Sequence, residues 1–290
     1  MLISVAIITQ NEEANLARTL ESVKVLVRNN QGEIIIVDSG SNDRTVEIAK
    51  SYGARILVEE WKGYAAQKNS AIEKATGDWI LSLDADEELE PALCEAILAT
   101  LESLVRVDRV AQLSDSHSFM LQDAKAEIGR YLSGHFSPKL AGFWISRRNQ
   151  FLGRWIKHGG FWPDPKLRLF RRGAGRFEDR SVHETVQLNG ETALIRQGAL
   201  IHHSYPTLAE YIDHMNRYSS LGAEMVVAKG RQSFPVLHII FRPLLMFLYN
   251  YFLRMGFLDG REGLLLHIYH SVYVSWKYAK AWELVTRVEA

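Results

Sequence analysis

The N-terminal third of the chain alternates short apolar runs with stretches of helical periodicity. The apolar runs are Leu2–Thr9, Glu33–Asp38, Ala54–Val58 and Trp79–Leu83. Continuous apolarity over so few residues is typical of strands buried on both faces, as in a parallel sheet. The helical stretches between them are about Glu12–Val27, Thr45–Tyr52 and Ala65–Ala75. This alternation predicts an α/β sandwich with a mostly parallel sheet.

The remaining chain is predicted to contain a mixed section and then a helical region. A helix is predicted over Pro91–Val105, and a polar insertion follows it at about 106–138. A second mixed section follows the insertion, and the pattern after it is helical and increasingly apolar. We therefore predict one domain over 1–205 and a helical region over 206–290.

Composition excludes several classes of protein. Of the 290 residues, 47% are hydrophobic, which excludes an intrinsically disordered chain. The 34 Lys and Arg residues are balanced by 34 Asp and Glu residues, so a nucleic-acid partner is not expected. The lone cysteine, Cys94, can form neither an intramolecular disulfide nor a cysteine-rich zinc site. Leu2–Thr9 lacks the basic flank and cleavage site of a signal peptide, so it is interpreted as a strand.

Polar segments follow three predicted strands, at the edge where open parallel sheets bind ligands. They are Thr9–Glu13, Asp38–Ser41 and Asp84–Glu87. Each alone could cap a helix, but three on one edge favour a binding site. Asp84 and Asp86 could together hold a hard divalent cation that neutralises a leaving diphosphate, or Asp86 could merely favour the next helix N-terminus. The sequence has neither a G-x-G-x-x-G after the first strand nor a P-loop motif, which argues against dehydrogenases and P-loop NTPases.

Together these motifs resemble those of family 2 glycosyltransferases with the GT-A fold. The matching segments are Ile7–Glu13, Ile36–Thr45, Gly63–Asn69 and Asp84–Glu87. The second part is similar to a branch of bacterial transferases of lipopolysaccharide core and related cell-surface glycans, which includes a β-glucosyltransferase. It matches at Arg147–Asn149, Phe151–Arg154, Pro163–Asp164, Leu167–Phe170, Val182–Glu184 and His202–Tyr205. The resemblance implies a nucleotide-binding half over 1–105 and an acceptor half over 139–205.

The resemblance also implies a nucleotide-sugar donor, with UDP-glucose as the best guess, and Mg²⁺ or Mn²⁺ as cofactor. The implied donor-binding residues are Thr9, Glu12 or Glu13 and Asp38 for the nucleoside, Lys68 for the nucleoside or diphosphate, and Asp84 for the ribose. The implied metal ligands are Asp86 and a late histidine, with His202 preferred to His203.

Such enzymes usually invert the anomeric centre, and a positioned carboxylate takes the proton of the attacking acceptor hydroxyl. Glu184 is the first candidate for this base, Asp179 the second and Asp164 the third. The structural alternative for Glu184 is a salt bridge to the neighbouring arginines. The implied acceptor is a hydroxyl of a cell-surface glycan or of lipopolysaccharide core.

Residues 139–176 form a basic stretch in which Asp164 interrupts the run of basic side chains. Its charges either form a solvated face or attract anionic acceptors, and Arg168 and Arg171 could contact the donor diphosphate. The aromatic residues among them either belong to the core or stack on sugar rings. They are Trp144, Trp155, Phe161 and Trp162.

Two apolar, aromatic runs near the C-terminus, Phe234–Phe257 and Leu264–Trp276, raise the question of a membrane. Arg242 and Pro243 interrupt the first run, so an interfacial helix pair is preferred to a spanning helix. A hydrophobic lobe or a dimer interface is the alternative. The prediction is an enzyme at the cytoplasmic face of a bacterial inner membrane, and the competing hypothesis is a non-catalytic, membrane-associated glycan-binding or scaffold protein with the same fold.

Overall fold

A computed structural model of the chain describes residues 2–28, 32–113, 140–178, 185–230 and 236–289. The strands are β1 (Ile3–Thr9), β2 (Gly32–Asp38), β3 (Arg55–Val58), β4 (Trp79–Asp84), β5 (Glu87–Leu89), β6 (Leu140–Phe151), β7 (Arg154–Trp155), β8 (Lys166–Arg171), β9 (Gly175–Phe177), β10 (Val186–Leu188) and β11 (Glu191–Tyr205). The helices are α1 (Leu16–Val27), α2 (Thr45–Ser51), α3 (Tyr64–Glu73), α4 (Pro91–Leu113), α5 (Leu208–Ala228), α6 (Val236–Leu253) and α7 (Gly260–Glu289), with a 3-10 turn at Gly256–Asp259.

The predicted parallel sheet is confirmed for the first four strands. They lie in the order β3-β2-β1-β4, and each adjacent pair is parallel. The register pairs Thr9 with Asp38 and Ile8 with Asp84, so the polar segments after these strands meet at one edge. Beyond β4 the sheet continues through β8, β6, β11 and β5, and the pairs β4–β8, β8–β6 and β11–β5 are antiparallel. The fold is therefore α/β, with a mixed sheet whose N-terminal half is parallel.

Continuous apolarity in the parallel strands reflects burial on both faces. Val5 and Ile7 point into a core formed with α1 and α4, where Leu20 is fully buried. Ala6, between them, points to the other face and packs with α3 residues such as Ala71. Alternate side chains of one strand thus enter two different cores, which removes the polar positions of a half-exposed strand.

The chain divides into two compact units. The first contains residues 1–147 and 165–202, and the second contains 148–164 and 203–290. The second unit therefore includes a segment that the sequence analysis assigned to the acceptor half. In this unit α5 packs against α7 through Ala223 and Val274. The predicted domain boundary at 205 stays a prediction.

The predicted insertion begins later than expected, because α4 continues to Leu113. The rest of it, 114–138, lies outside the described residues, as do the predicted base candidates Asp179 and Glu184.

The two C-terminal apolar runs have different surroundings. Leu264–Trp276 lies within α7, where Leu266 and Val274 are buried in cores shared with α5. α6 is long and apolar enough, by length and composition alone, to cross a membrane, and only 6% of it is buried. The exposed apolar side chains of α6 and the turn after it form what we call the α6 surface. They are Val236, Leu237, Ile240, Phe241, Leu244, Leu245, Leu248, Tyr249, Phe252, Leu253, Met255, Phe257 and Leu258.

Two glycines with left-handed backbones offer a matched test of the packing of α4. A Cβ on Gly198 (φ +72°) would overlap the backbone nitrogen of Leu93, whereas one on Gly173 (φ +81°) would meet nothing within 4 Å. Gly173→Ala should cost about 1 kcal/mol of unfolding free energy from backbone strain alone. Gly198→Ala should cost about 2 kcal/mol more, because it also overlaps the start of α4. Chemical denaturation of both variants checks this, and equal losses would contradict the close approach.

Candidate active site

Asp38 organises the edge of the sheet where β1 and β2 end. It is 1% exposed, and its carboxylate accepts hydrogen bonds from Thr9 Oγ1 at 2.7 Å and from Ser41 Oγ at 2.5 Å. The backbone amides of Gly40 and Ser41 also donate to it, at 3.0 Å and 2.8 Å. The structure thus brings the predicted nucleoside ligands Thr9 and Asp38 together and uses them to shape the loop after β2.

The loops after β1 and β2 are tied together by side chains. Asn11 Oδ1 accepts from the amide of Asn42 at 2.9 Å, and Glu13 Oε2 accepts from the amide of Arg44 at 3.1 Å. Glu13 therefore serves as a bridge between the loops. Glu12 has a different environment, because burial raises its pKa, the hydrogen bond from Asn15 opposes this rise, and the nearby charges of Asp86, Asp43 and Asp84 add to it.

Asp84 lies between two cations. Lys68 Nζ is 2.8 Å from Oδ1, and Arg168 Nη2 is 2.5 Å from Oδ2. Burial opposes ionisation of Asp84, but Arg168 and Lys68 hold its pKa well below the usual range. Lys68 is 7% exposed and lies 5.2 Å from the centre of the Phe177 ring. The structure therefore brings Lys68, Asp84 and Arg168 together from positions far apart in the sequence.

Glu87 is a central residue to which the sequence analysis gave no separate role. It is fully buried, and its Oε1 accepts from Arg168 Nη2 at 2.6 Å and from Arg147 Nη1 at 3.2 Å. Its Oε2 accepts from the backbone amide of Asp84 at 3.1 Å. A buried carboxylate is costly unless it is paired, and these bonds provide the pairing. The signal available in the sequence was its position within Asp84–Glu87, on the short strand β5.

Asp86 meets the predicted late histidine. β5 pairs with β11 so that His202 lies opposite Glu87, and His202 Nε2 is 3.2 Å from Asp86 Oδ2. Both side chains are partly exposed, at 17% for His202 and 25% for Asp86. Burial opposes ionisation of Asp86, but the interaction with His202 lowers its pKa overall.

The donor set at Asp86 fits Mg²⁺ or Mn²⁺ that is shared with a substrate. Both oxygens of Asp84 already contact cations, which leaves Asp86 as the carboxylate for a metal. Among the described residues, no group of three or more His, Cys, Asp or Glu side chains is arranged to hold an ion. Asp86 and His202 would therefore supply two ligands, and phosphate oxygens or water the others, as is usual for Mg²⁺ sites.

The basic stretch is divided among several environments. Arg171, unlike Arg168, is not brought to the site: β8 pairs it with Trp79, at the far end of β4 from Asp84, and its guanidinium lies 5.0 Å from the Trp79 ring. Arg148 lies 4.4 Å from the Trp155 ring in the second unit. Asp164, the third candidate base, belongs to the second unit and accepts from Asn149 Nδ2 at 3.0 Å.

Comparison with known proteins identifies the family of the chain. Residues 4–174, more than half of the chain, match the family model of glycosyl transferase family 2. The lipopolysaccharide core biosynthesis glycosyltransferase LpsC of Rhizobium meliloti is 30% identical over 287 residues, which cover 97% of this chain and 92% of that protein. An uncharacterized glycosyltransferase of Rickettsia typhi is 32% identical over 90% of this chain and 80% of its own length.

Among solved structures, glucosyl-3-phosphoglycerate synthase of Mycobacterium tuberculosis is 26% identical over 36% of this chain and 39% of that chain, with a TM-score of 0.30. The family match and the LpsC similarity together confirm the predicted family and fold class. The chain belongs to glycosyl transferase family 2 and is a glycosyltransferase.

Proposed function

We propose that the chain transfers a hexose from a UDP-sugar, with UDP-glucose the first donor to test, to a hydroxyl of lipopolysaccharide core or a related cell-surface glycan. The carrying observation is that Lys68 and Arg168 both contact Asp84 at the carboxyl end of β4. Asp86, which contacts His202, follows Asp84 by two residues. The similarity to LpsC over nearly the whole chain supports the acceptor class.

The nucleoside is expected to bind at Thr9 and Asp38, with Glu12 as a further proposed contact of the nucleoside. Lys68 and Arg168 hold Asp84 ionised, so that it can accept hydrogen bonds from ribose hydroxyls. Lys68 and Arg168 are also the proposed contacts of the diphosphate, because ammonium and guanidinium groups are suited to bind phosphate oxygens. Arg168 Nε is buried and has no hydrogen-bond partner among the described residues, a cost that a polar ligand would offset.

Asp86 and His202 are the residues that would hold Mg²⁺ or Mn²⁺. When bound, the cation supplies positive charge to the diphosphate as it leaves. Asp86 contributes the ionised carboxylate, and its low pKa keeps it available at neutral pH.

The proposed reaction inverts the anomeric carbon. The acceptor oxygen forms a bond to C1 while the bond from C1 to the diphosphate oxygen breaks, and the hydroxyl proton passes to a carboxylate. Glu184 is the proposed base and Asp179 the second candidate, on the strength of the sequence motif alone.

The α6 surface supports a proposed location at the cytoplasmic face of the inner membrane. An α-helix of 18 residues is about 27 Å long, and α6 is shorter than this because Val236–Phe241 and Tyr249–Leu253 are π-helical. It is therefore shorter than the hydrocarbon core of a bilayer. It also contains Arg242, which lies 5.1 Å from the Tyr278 ring of α7, and Pro243. The short length, Arg242 and Pro243 favour a helix that lies in the membrane–water interface over one that spans the bilayer.

The donor site predicts metal-dependent release of UDP from UDP-glucose when lipopolysaccharide-core oligosaccharide is the acceptor. Asp86→Ala should reduce this release about a hundredfold, because the leaving diphosphate loses charge stabilisation. Glu73→Ala is the control, since Glu73 is exposed and pairs with Arg176. Unchanged metal-dependent release by Asp86→Ala would contradict the metal role, and failure of the native chain to bind UDP would contradict the donor class.

The base assignment predicts a separation of turnover from binding. Glu184→Gln should lower turnover by about 10²–10⁴-fold while the dissociation constant for UDP stays unchanged. Asp179→Asn is the matched variant, and a larger loss there would move the base role to Asp179. Equal losses of turnover and UDP binding in Glu184→Gln would remove Glu184 as the base.

The α6 surface predicts binding to phosphatidylcholine vesicles in a flotation assay. Replacing Leu245 and Phe252, which are 62% and 53% exposed, with Glu should abolish flotation, because charged side chains cannot enter the hydrocarbon. Glu at Val25 and Val58, exposed apolar residues of the first unit, is the matched control and should leave flotation intact. A native chain that stays with the soluble fraction would overturn the proposed location.

A further inference from the structure

We infer that a groove in the second unit, beside the α6 surface, binds the phosphate-bearing headgroup of an anionic membrane lipid. This inference rests on the proposed membrane location. The groove has a volume of about 640 Å³. Its polar lining consists of Arg154, Trp155, Lys157, His158, Asp259 and Glu262.

One wall of the groove is continuous with the α6 surface. Leu258 lines the groove and is 49% exposed, and it directly follows the exposed Phe257 in the turn after α6. A lipid whose acyl chains contact α6 would therefore place its headgroup at the level of the groove. This continuity favours a lipid phosphate over a phosphate free in solution.

The exposed charges around the groove are cationic. Arg154 and Lys157 line it, and Lys157 Nζ lies 4.6 Å from the Trp155 ring, which holds the ammonium beside the groove. Arg254 reaches the same loop: its carbonyl accepts from Gly159 N at 2.9 Å, and its guanidinium covers Gly160 so closely that a Cβ there would overlap it.

The two carboxylates that line the groove are paired with groups of the protein itself. Asp259 is 2% exposed and accepts from the amides of Lys157 and His158, at 3.1 Å and 2.8 Å, and its other oxygen is 3.1 Å from His158 Nδ1. Glu262 is 2.9 Å from Arg261 and 3.4 Å from Arg154. Arg154 and Lys157 line the groove, and Arg254 and Arg261 contact its loop and Glu262 from outside the lining. Counted together, these four cations exceed the two paired acids, which leaves positive charge around the groove for an anion.

The test is flotation of the full chain with vesicles of phosphatidylcholine, with and without phosphatidylglycerol. The native chain should bind the anionic vesicles more tightly. Replacing both Arg154 and Lys157 with Gln should weaken anionic binding about 25-fold, from about fivefold for each charge, and leave phosphatidylcholine binding unchanged. Arg217→Gln combined with Arg287→Gln removes the same charge from exposed positions elsewhere in the second unit and should have little effect.

The outcomes distinguish failure of the groove assignment from failure of the proposed membrane location. Equal loss in the control pair would show a diffuse charge effect and overturn the groove, as would equal native binding to both kinds of vesicle. No binding to either vesicle would overturn the membrane location itself. Binding of inorganic phosphate to the native chain but not to the groove variant, with no difference between the two kinds of vesicle, would show a site for free phosphate and overturn the lipid assignment. Lys157→Arg should keep the binding to anionic vesicles that Lys157→Gln weakens. Equal melting temperatures of the native chain and the variants show that the variants are folded.

Discussion

The structure of the candidate active site depends on burying Glu87 together with the cations that pair with it. Glu87 is fully buried, and Arg168 joins it to Asp84, which in turn contacts Lys68. Loss of one partner would leave a charge buried without compensation, which costs more than the pair contributes. Because these residues come from α3, β4, β5 and β8, with Arg147 from β6, the network links the parallel and antiparallel halves of the sheet.

This network also separates the roles of two similar carboxylates. Asp84 and Asp86 are two residues apart, yet Asp84 is held between cations while Asp86 faces His202. The difference arises because β4 ends at Asp84 and β5 begins at Glu87, so the chain turns between the two residues. The proposed cation ligand Asp86 and the proposed ribose acceptor Asp84 then lie next to each other without competing for the same charge.

The sequence predicted the parallel strands and the residues at their ends, because burial on both faces leaves a clear apolar signature. Arg168 was predicted at the donor site, but no local pattern in the sequence separates it from Arg171. These residues are three apart on one strand, so they lie on opposite faces and about 10 Å apart. Only the register of β8 against β4 places Arg168 beside Asp84 and Arg171 beside Trp79. Glu87 and Arg147 were missed for the same reason, since contacts between distant strands leave no local periodicity.

The two C-terminal runs also show that composition alone does not distinguish a buried apolar helix from an exposed one. Both are apolar and aromatic, yet the run in α7 shares its buried residues with α5, and α6 leaves most of its side chains exposed. Scattered exposed apolar residues need no explanation, but a continuous helical surface of them marks an interaction site. The proposed partner of α6 is a bilayer and not a second protein, because Arg254 follows the apolar helix in the sequence and Arg154 and Lys157 line the adjoining groove. A lipid presents the same order of apolar chains and anionic headgroup.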